Sequence, residues 1–406
     1  MKLPLSILLL LVVVCIVHAQ DFDQARIKKH IQILADDKLE GRGTGTAGEK
    51  RAAAYIESQF KKLKLQPKGD NNGYLQAFTF KAGAHGEGAE GTANNIAAYL
   101  DNGAATTIII GAHYDHLGLG EQSGSLEANS KGMIHNGADD NASGVAGVIE
   151  LANYFTKNKI KEKNNFLFLC FSGEELGLFG SKYIADHLPI DISTVNYMVN
   201  MDMIGRLDPQ TKTVIVHGTG TSPVWETLVR GFENESIKIK TDSSGVGPSD
   251  HTSFYLKDLP VLHFFTGSHS DYHKPSDDWQ KINYAGEAEV LKLIAKIIES
   301  NQTQGKLAFL KTKSKQQAGR SAFKVTMGVM PSYSSTAVGL QVDGVTEGKP
   351  AQKAGIKTGD IIVQLGDYEI KDVYSYMDAL GKFEKGQTVQ AKVKRGEEVL
   401  TLPITF

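Results

Sequence analysis

The sequence predicts an α/β fold with a mixed, mostly parallel sheet flanked by helices, followed by a small α+β domain. Short apolar runs alternate with helical apolar patterns over most of the chain, which favours such a sheet. The β-branched run Thr106–Gly111 is typical of a strand that is buried on both faces. After a polar, lysine-rich stretch at residues 301–320, short strands with glycines and a helix at Val373–Leu380 indicate the second domain.

The first elements of the large domain are read from local patterns. Apolar residues at helical spacing predict a helix at Asp23–Ala35. The glycine-rich stretch Leu39–Gly48 lacks the lysine-serine pair of a phosphate loop, so we interpret it as a structural turn before a helix at Ala47–Leu63. Alternation predicts a strand at Tyr74–Phe80, and a glycine-rich hairpin follows at Gly83–Gly91.

Strands and helices then alternate to residue 299. The predicted strands are Asn95–Leu100, Thr106–Gly111, Asn165–Phe171, Val195–Met201, Thr213–His217 and Pro260–Phe265. The predicted helices are Val145–Phe155, Leu178–His187, Pro223–Phe232 and Gly286–Glu299. We therefore divide the chain into residues 20–300, a linker at 301–320 and a small domain at 321–406.

Composition and the first residues restrict the class of protein. A net charge of −2 over 406 residues argues against a nucleic-acid binder. Lys2, the apolar run Leu3–Val17 and the small residue Ala19 indicate a signal peptide at residues 1–19, with an uncleaved anchor as the alternative. We expect a mature protein without a transmembrane span that is exported to the periplasm, the medium or the cell envelope. Cys170 then remains as a lone core cysteine.

Residues suited to a divalent transition metal follow several of the apolar runs. Within Gly137–Gly144 the two adjacent aspartates are compatible with a simple capped turn, but histidines and carboxylates elsewhere favour a site. The candidate ligands are His113, Asp139, Glu175, Asp202 and His273. Zinc accepts these donors, and five of them suffice for two ions if Asp139 is shared, His113 and Asp202 hold one ion, and Glu175 and His273 hold the other. His116, His135, His251 and His269 compete for such roles.

Two further carboxylates have expected catalytic roles. Glu174 precedes a candidate ligand and is predicted to face the attacking water as general base. Asp115 lies two residues beyond His113, where its carboxylate would accept a hydrogen bond from the imidazole and fix the tautomer.

The ordered motifs resemble those of the M28 family of zinc metallopeptidases. They are Gly111–Asp115, Gly137–Gly144, Phe171–Gly177, Asn200–Met203, Ser249–His251 and Asp271–Asp277. The resemblance implies a zinc-aminopeptidase fold, related to phosphorylases and hydrolases, with two Zn²⁺ ions in a co-catalytic site and a cis peptide between Asp139 and Asp140. Asp250 is then expected to support the ligands.

Two departures from the family pattern are visible. Gly245–Pro248 stand where some relatives carry an oxyanion-stabilising tyrosine, so zinc or Tyr272 is the candidate donor. The stretch Thr79–Asn95 is too short for a protease-associated insertion. The long loop Gly118–Ile134 is a candidate lid.

The small domain resembles a PDZ domain of the bacterial protease type. The resemblance rests on Met327–Met330, Gly339–Val342 and Pro350–Ile362. PDZ domains bind peptide ends by adding a strand to a sheet edge. Met327, Gly328, Val329 and Met330 are the candidate peptide-binding residues, and a spacer without a ligand is the alternative.

These features favour an exported two-zinc aminopeptidase that acts on free peptide N-termini. One alternative keeps the fold but is a single-zinc glutaminyl cyclase or a carboxypeptidase. Another is a non-catalytic peptide-binding protein. We expect peptide substrates, a possible peptide or protein ligand of the PDZ domain and no nucleic acid.

Overall fold

The structure is a computed structural model that describes residues 22–81, 90–121, 124–127, 129–302, 305–312, 325–331, 337–346, 348–371 and 373–406. The predicted signal peptide, residues 83–89 of the predicted hairpin and residues 313–320 of the predicted linker lie outside these ranges. Among the described residues, none of the helices combines the length and apolar character needed to cross a bilayer.

In the part of the large domain that the structure describes, a nine-stranded mixed sheet forms the centre. Its strands are β1 (Gln66–Pro67), β2 (Leu75–Lys81), β3 (Glu90–Leu100), β4 (Thr107–His113), β5 (Asn165–Phe171), β6 (Val195–Met201), β7 (Thr213–His217), β8 (Lys238–Asp242) and β9 (Val261–Phe265). The order is β1-β3-β5-β4-β6-β9-β7-β8, with β2 paired to β3. Strand β4 pairs parallel with β5 and with β6, and β6 pairs parallel with β9. Strand β3 pairs antiparallel with β5, and β7 pairs antiparallel with β9. This confirms the predicted mixed, mostly parallel sheet.

Helices cover the sheet and bury its apolar faces. They are α1 (Gln24–Leu34), α2 (Ala47–Lys62), α3 (Gly144–Lys157), α4 (Phe179–Asp186), α5 (Trp225–Arg230), α6 (His251–Tyr255) and α7 (Tyr284–Ser300). Every residue of β4, β5 and β6 is buried, as their continuous apolar runs predict. Strand β8 and helix α6 were not predicted, because β8 alternates polar residues and α6 is only five residues long.

The described residues of the small domain form a six-stranded antiparallel sheet and two helices. Its elements are β10 (Val329–Pro331), β11 (Leu340–Val345), α8 (Pro350–Lys353), β12 (Ile361–Leu365), β13 (Tyr368–Glu369), α9 (Val373–Leu380), β14 (Thr388–Arg395) and β15 (Glu398–Thr405). Strand β10 is an edge strand that pairs with β11. The domain has its own apolar core, which includes Met327, Val342 and Ile362.

Residues 305–312 pack on the large domain, although the sequence predicts a solvated linker there. Leu307 is buried in the main core. The Leu310 N–H donates to the Thr221 carbonyl at 2.8 Å, and the Thr312 N–H donates to the Tyr255 hydroxyl at 3.0 Å. This part of the predicted linker is therefore held against the large domain.

Candidate metal centre

Three adjacent parallel strands deliver the candidate residues to one edge of the sheet. His113 is the last residue of β4, Glu174 and Glu175 follow β5, and Asp202 follows β6 directly. Carboxyl ends of parallel strands meet at one edge of a sheet, which is where α/β proteins bind ligands. The order β5-β4-β6 therefore brings together side chains that are distant in the chain.

Two groups of ligand atoms form at this edge and share one aspartate. His113, Asp140 and Asp202 form the first group, and His116, Asp140 and Glu175 form the second, with the ligand atoms of each group within 4.8 Å of one another. The His113 Nε2 lies 3.3 Å from Asp202 Oδ1 and 3.4 Å from Asp140 Oδ1. Imidazole nitrogens and carboxylate oxygens are donors that zinc accepts.

His273 lies beside the second group. Its Nε2 lies 3.2 Å from both Asp140 Oδ2 and Glu175 Oε2. Its Nδ1 lies 2.9 Å from the Gly124 carbonyl, and its own carbonyl accepts the Leu126 N–H at 3.0 Å. The described part of the predicted lid loop thus orients the His273 imidazole.

The carboxylate common to both groups belongs to Asp140, whereas the sequence led us to expect Asp139 in this position. Asp139 Oδ1 accepts the Gly205 N–H at 2.7 Å, and its Oδ2 lies 3.1 Å from His269 Nε2. The cis peptide is likewise one residue later than expected, between Asp140 and Asn141.

The local backbone explains why Asp140 enters the site. Gly137 has a φ of 53°, and a Cβ there would lie 2.1 Å from the Asp140 carbonyl oxygen, so the turn requires glycine. The Asp277 carboxylate accepts the N–H groups of Asp139 and Asp140 at 3.0 and 3.1 Å. These contacts hold the loop so that the Asp140 carboxylate lies beside His113 and His273.

Asp115 orients the site somewhat differently from the prediction. The His113 Nδ1 lies 3.2 Å from the Asp115 backbone carbonyl, whereas the nearest carboxylate oxygen is 3.7 Å away. The carboxylate accepts from the Thr44 hydroxyl at 2.8 Å and from the Glu174 N–H at 3.2 Å. The carbonyl therefore makes the closer contact with His113, and the carboxylate helps to place Glu174.

Glu174 and Glu175 have opposite electrostatic environments. Burial raises the pKa of Glu174 well above its ordinary value, and neighbouring carboxylates add to that rise against the opposing charge of His113. Burial also acts to raise the pKa of Glu175, but His273 and His116 outweigh it and lower that pKa to about 2. Carboxylate pairs whose pKa values are driven apart are typical of a proton-transferring group beside a charged one.

The pKa of Asp140 is lowered, as is that of Glu175. Burial opposes its ionisation, but His116, His113 and His273 hold its pKa well below the ordinary range. Metal ligands must be deprotonated, so charged Asp140 and Glu175 suit a cation site.

Tyr272 and Asp250 lie near the centre. Tyr272 stacks on His273 at 3.9 Å between ring centroids and lines the same pocket as Glu174. Asp250 is buried, and burial raises its pKa to about 7.

The candidate peptide-binding residues belong to the small domain. Met327 is buried in its core, Gly328 has a φ of 71° and Val329 is the first residue of β10. The side chain of Met330 lies outside the described residues.

Sequence reasoning missed Arg42, which fastens the loops of the site. Its buried guanidinium donates to the carbonyls of Tyr114, Asn136 and Gly137 at 2.7–2.9 Å, and to that of Leu34. Burial lowers its pKa to about 10, against the opposing effect of Asp140 and other carboxylates. An arginine among glycines gives no periodic signal, so only its contacts reveal this role.

Sequence reasoning also missed the contacts that His116 and Asp277 make at the site. The His116 Nδ1 lies 2.7 Å from Glu175 Oε1, and its Nε2 is buried with no hydrogen-bond partner among the described residues. The repeated histidine in His113–His116 and the acid in the Asp271–Asp277 motif are the sequence signals that could have drawn attention to them.

Comparisons with known proteins find similarity in both domains. The model of peptidase family M28 matches residues 95–298, and a PDZ-domain model matches residues 321–406. Leupeptin-inactivating enzyme 1 of Streptomyces exfoliatus is 28% identical over 265 residues, which cover 64% of this chain and 53% of that protein. Aminopeptidase YwaD of Bacillus subtilis is 28% identical over 158 residues, covering 36% of this chain and 34% of that one. The chain thus spans about a third to a half of these relatives.

Solved structures share the fold of the large domain. An aminopeptidase from Aneurinibacillus sp. strain AM-1 superposes with a TM-score of 0.55 at 18% identity, over 74% of this chain and 97% of that one. A glutaminyl cyclase from Porphyromonas gingivalis gives 0.56 at 17% identity, over 69% and 99%. The family model covers half of the sequence, and on that match the chain belongs to peptidase family M28.

Proposed function

We propose that this chain is an exported aminopeptidase that holds two zinc ions and cleaves the first peptide bond after a free N-terminus. The observation that carries the proposal is the pair of ligand groups that share Asp140 beside Glu174. The aminopeptidases among its relatives support the reaction class. Export rests on the basic and apolar pattern of residues 1–19.

The donor set fits two zinc ions. His113 and Asp202 would hold one ion, Glu175 and His273 the other, and Asp140 both, with His116 as a further donor or a support for Glu175. When bound, two such ions polarise a substrate carbonyl and lower the pKa of water. The His116 Nδ1 lies 2.7 Å from Glu175 Oε1 and 3.8 Å from Asp140 Oδ2, so this nitrogen faces the second group of ligand atoms.

Glu174 is the proposed general base. It lines the pocket with His113 and Asp202, and its N–H is tied to Asp115. Its raised pKa suits a group that takes a proton from the attacking water and passes it to the leaving amine. Tyr272, in the same pocket, is the proposed donor to the oxygen that becomes negative.

Neighbouring glutamates provide a matched test. Glu174→Gln should lower the turnover of aminoacyl-4-nitroanilides by about 10²–10⁴-fold with two zinc ions per chain retained. Glu175→Gln should instead lower the zinc content, as measured by elemental analysis after dialysis. Unchanged turnover in Glu174→Gln would refute the base assignment.

The zinc content and turnover of the wild-type protein distinguish the remaining alternatives. About two zinc ions per chain and chelator-sensitive release of N-terminal residues are expected. One ion with cyclisation of N-terminal glutamine would favour glutaminyl cyclase chemistry instead. No metal and no turnover would favour a peptide-binding protein in which the PDZ domain is the working part.

A further inference from the structure

The pocket at the metal centre has walls from both domains. It encloses about 280 Å³. The large domain contributes the candidate ligands and Glu174, together with residues from β7, β9 and the nearby loops. The small domain contributes Val329, Pro331 and Thr346.

Contacts within the small domain hold these three residues as one surface. Val329 and Pro331 are the two ends of edge strand β10, which pairs with β11. The Thr346 N–H donates to the Gly328 carbonyl at 2.8 Å, which fastens the end of β11 beside the start of β10. All three side chains are partly buried, and the two on β10 are apolar. We call Val329, Pro331 and Thr346 the outer wall.

Other residues that line the pocket belong to the sheet of the large domain. His217 ends β7, and His263 and Phe265 lie on β9, two strands that belong to the same sheet as β4 and β6. The outer wall comes from the sheet of the small domain and adds its side chains to the pocket that holds the candidate ligands. An aminopeptidase places one residue before the scissile bond, so the rest of its substrate must extend along other side chains that line the pocket.

We propose that the outer wall contacts the substrate residue that follows the scissile bond, so that the PDZ domain takes part in substrate selection. This inference rests on the proposed aminopeptidase activity. Two apolar side chains and a threonine methyl favour an apolar residue at that position, because the burial of apolar surface would supply most of the binding free energy there. The substrate class is therefore peptides with an apolar second residue.

A charge placed on the wall should change this preference. We compare kcat/KM for two dipeptides with the same first residue and either glutamate or leucine second, in wild type, Thr346→Lys and Pro331→Lys. The glutamate-to-leucine ratio should rise at least about threefold in each variant, the effect of a partly exposed ion pair. A ratio within one protein does not depend on the fraction that is correctly folded.

Val399→Lys is the matched control. Val399 lies on β15, is 60% exposed and is absent from the residues that line the pocket. It adds the same charge to the same domain and should leave the ratio at the wild-type value.

The outcomes separate the two proposals. Wild-type turnover with an unchanged ratio in Thr346→Lys and Pro331→Lys would overturn the role of the outer wall and leave the aminopeptidase proposal intact. An equal rise in Val399→Lys would also overturn it, because a long-range charge effect would then explain the shift. No release of N-terminal residues by the wild-type protein would remove both proposals.

Discussion

Asp139 and Asp140 are adjacent in the chain, yet their carboxylates have different partners. Asp140 lies 3.4 Å from the His113 Nε2 and 3.2 Å from the His273 Nε2. Asp139 instead accepts the Gly205 N–H and lies beside His269. One aspartate therefore belongs to the proposed metal centre, and the other fastens the loop that carries it.

Exchanging each aspartate for asparagine tests this division. Asp140→Asn should remove most of the zinc and the turnover, because a carboxylate shared by both ligand groups is lost. Asp139→Asn should retain zinc, since an amide oxygen still accepts the Gly205 N–H. Zinc per chain after dialysis is the measurement. Retention in Asp140→Asn with loss in Asp139→Asn would restore the assignment that the sequence suggested.

His116 should tune the metal affinity. His116→Phe removes the 2.7 Å contact between its Nδ1 and Glu175 Oε1 while retaining a ring. Loss of a group that orients a ligand typically weakens metal binding by about 10–100-fold. Chelator competition measures the zinc affinity of the variant. His187→Phe is the control, because His187 is exposed and stacks on Tyr183; equal affinities in both variants would contradict the role.

Arg42 is buried, and its contacts with four carbonyls should contribute strongly to the stability of the fold. Arg42→Lys keeps the charge but has no planar fork with which to reach four carbonyls. Buried carbonyls without donors cost about 1–3 kcal/mol each. We expect a free energy of unfolding lower by roughly 2–5 kcal/mol, measured by urea denaturation.

Arg51→Lys is the control for Arg42. Arg51 pairs with Glu40 at 2.8 Å, and both side chains are substantially exposed. Such pairs contribute about 0–1 kcal/mol. A similar loss of stability in the two variants would mean that the carbonyl contacts of Arg42 add nothing.

Glu49 should make the protein less stable at alkaline pH. Burial, with a contribution from Asp115, raises the pKa of Glu49 from 4.5 to about 8. Since the folded state binds the proton more tightly than the unfolded state, this stability is fully present below pH 4.5 and is lost as pH rises through 8. The slope should be at most about 1.4 kcal/mol per pH unit.

Glu49→Gln should remove this dependence. Its amide can accept the Gly45 N–H and face the Ser172 hydroxyl, as the protonated carboxyl does. Urea denaturation at about pH 5, 7 and 9 should show the free energy of unfolding of the variant rising relative to that of wild type as the pH rises. Glu40→Gln, at an exposed carboxylate, should follow the wild-type profile. Parallel profiles for wild type and Glu49→Gln would refute the assignment.

The sequence was sufficient to predict the sheet and the region of the site. Continuous apolar runs specify β4, β5 and β6 because strands buried on both faces admit few polar residues. His113, Glu174 and Asp202 could then be placed at one edge, since parallel strands end together. Strand β8 was missed because its alternating polar residues lack such a run.

The apolar runs of the sequence were enough to place the central strands β4, β5 and β6 and to name the side chains that follow them. The tertiary structure alone decided that Asp140 rather than Asp139 enters the centre, that Arg42 fastens its loops and that Val329 and Thr346 line the pocket. The physical reason is that side-chain direction alternates regularly only in regular elements. In the loop after Gly137, and between domains, it depends on contacts with residues that are distant in the chain.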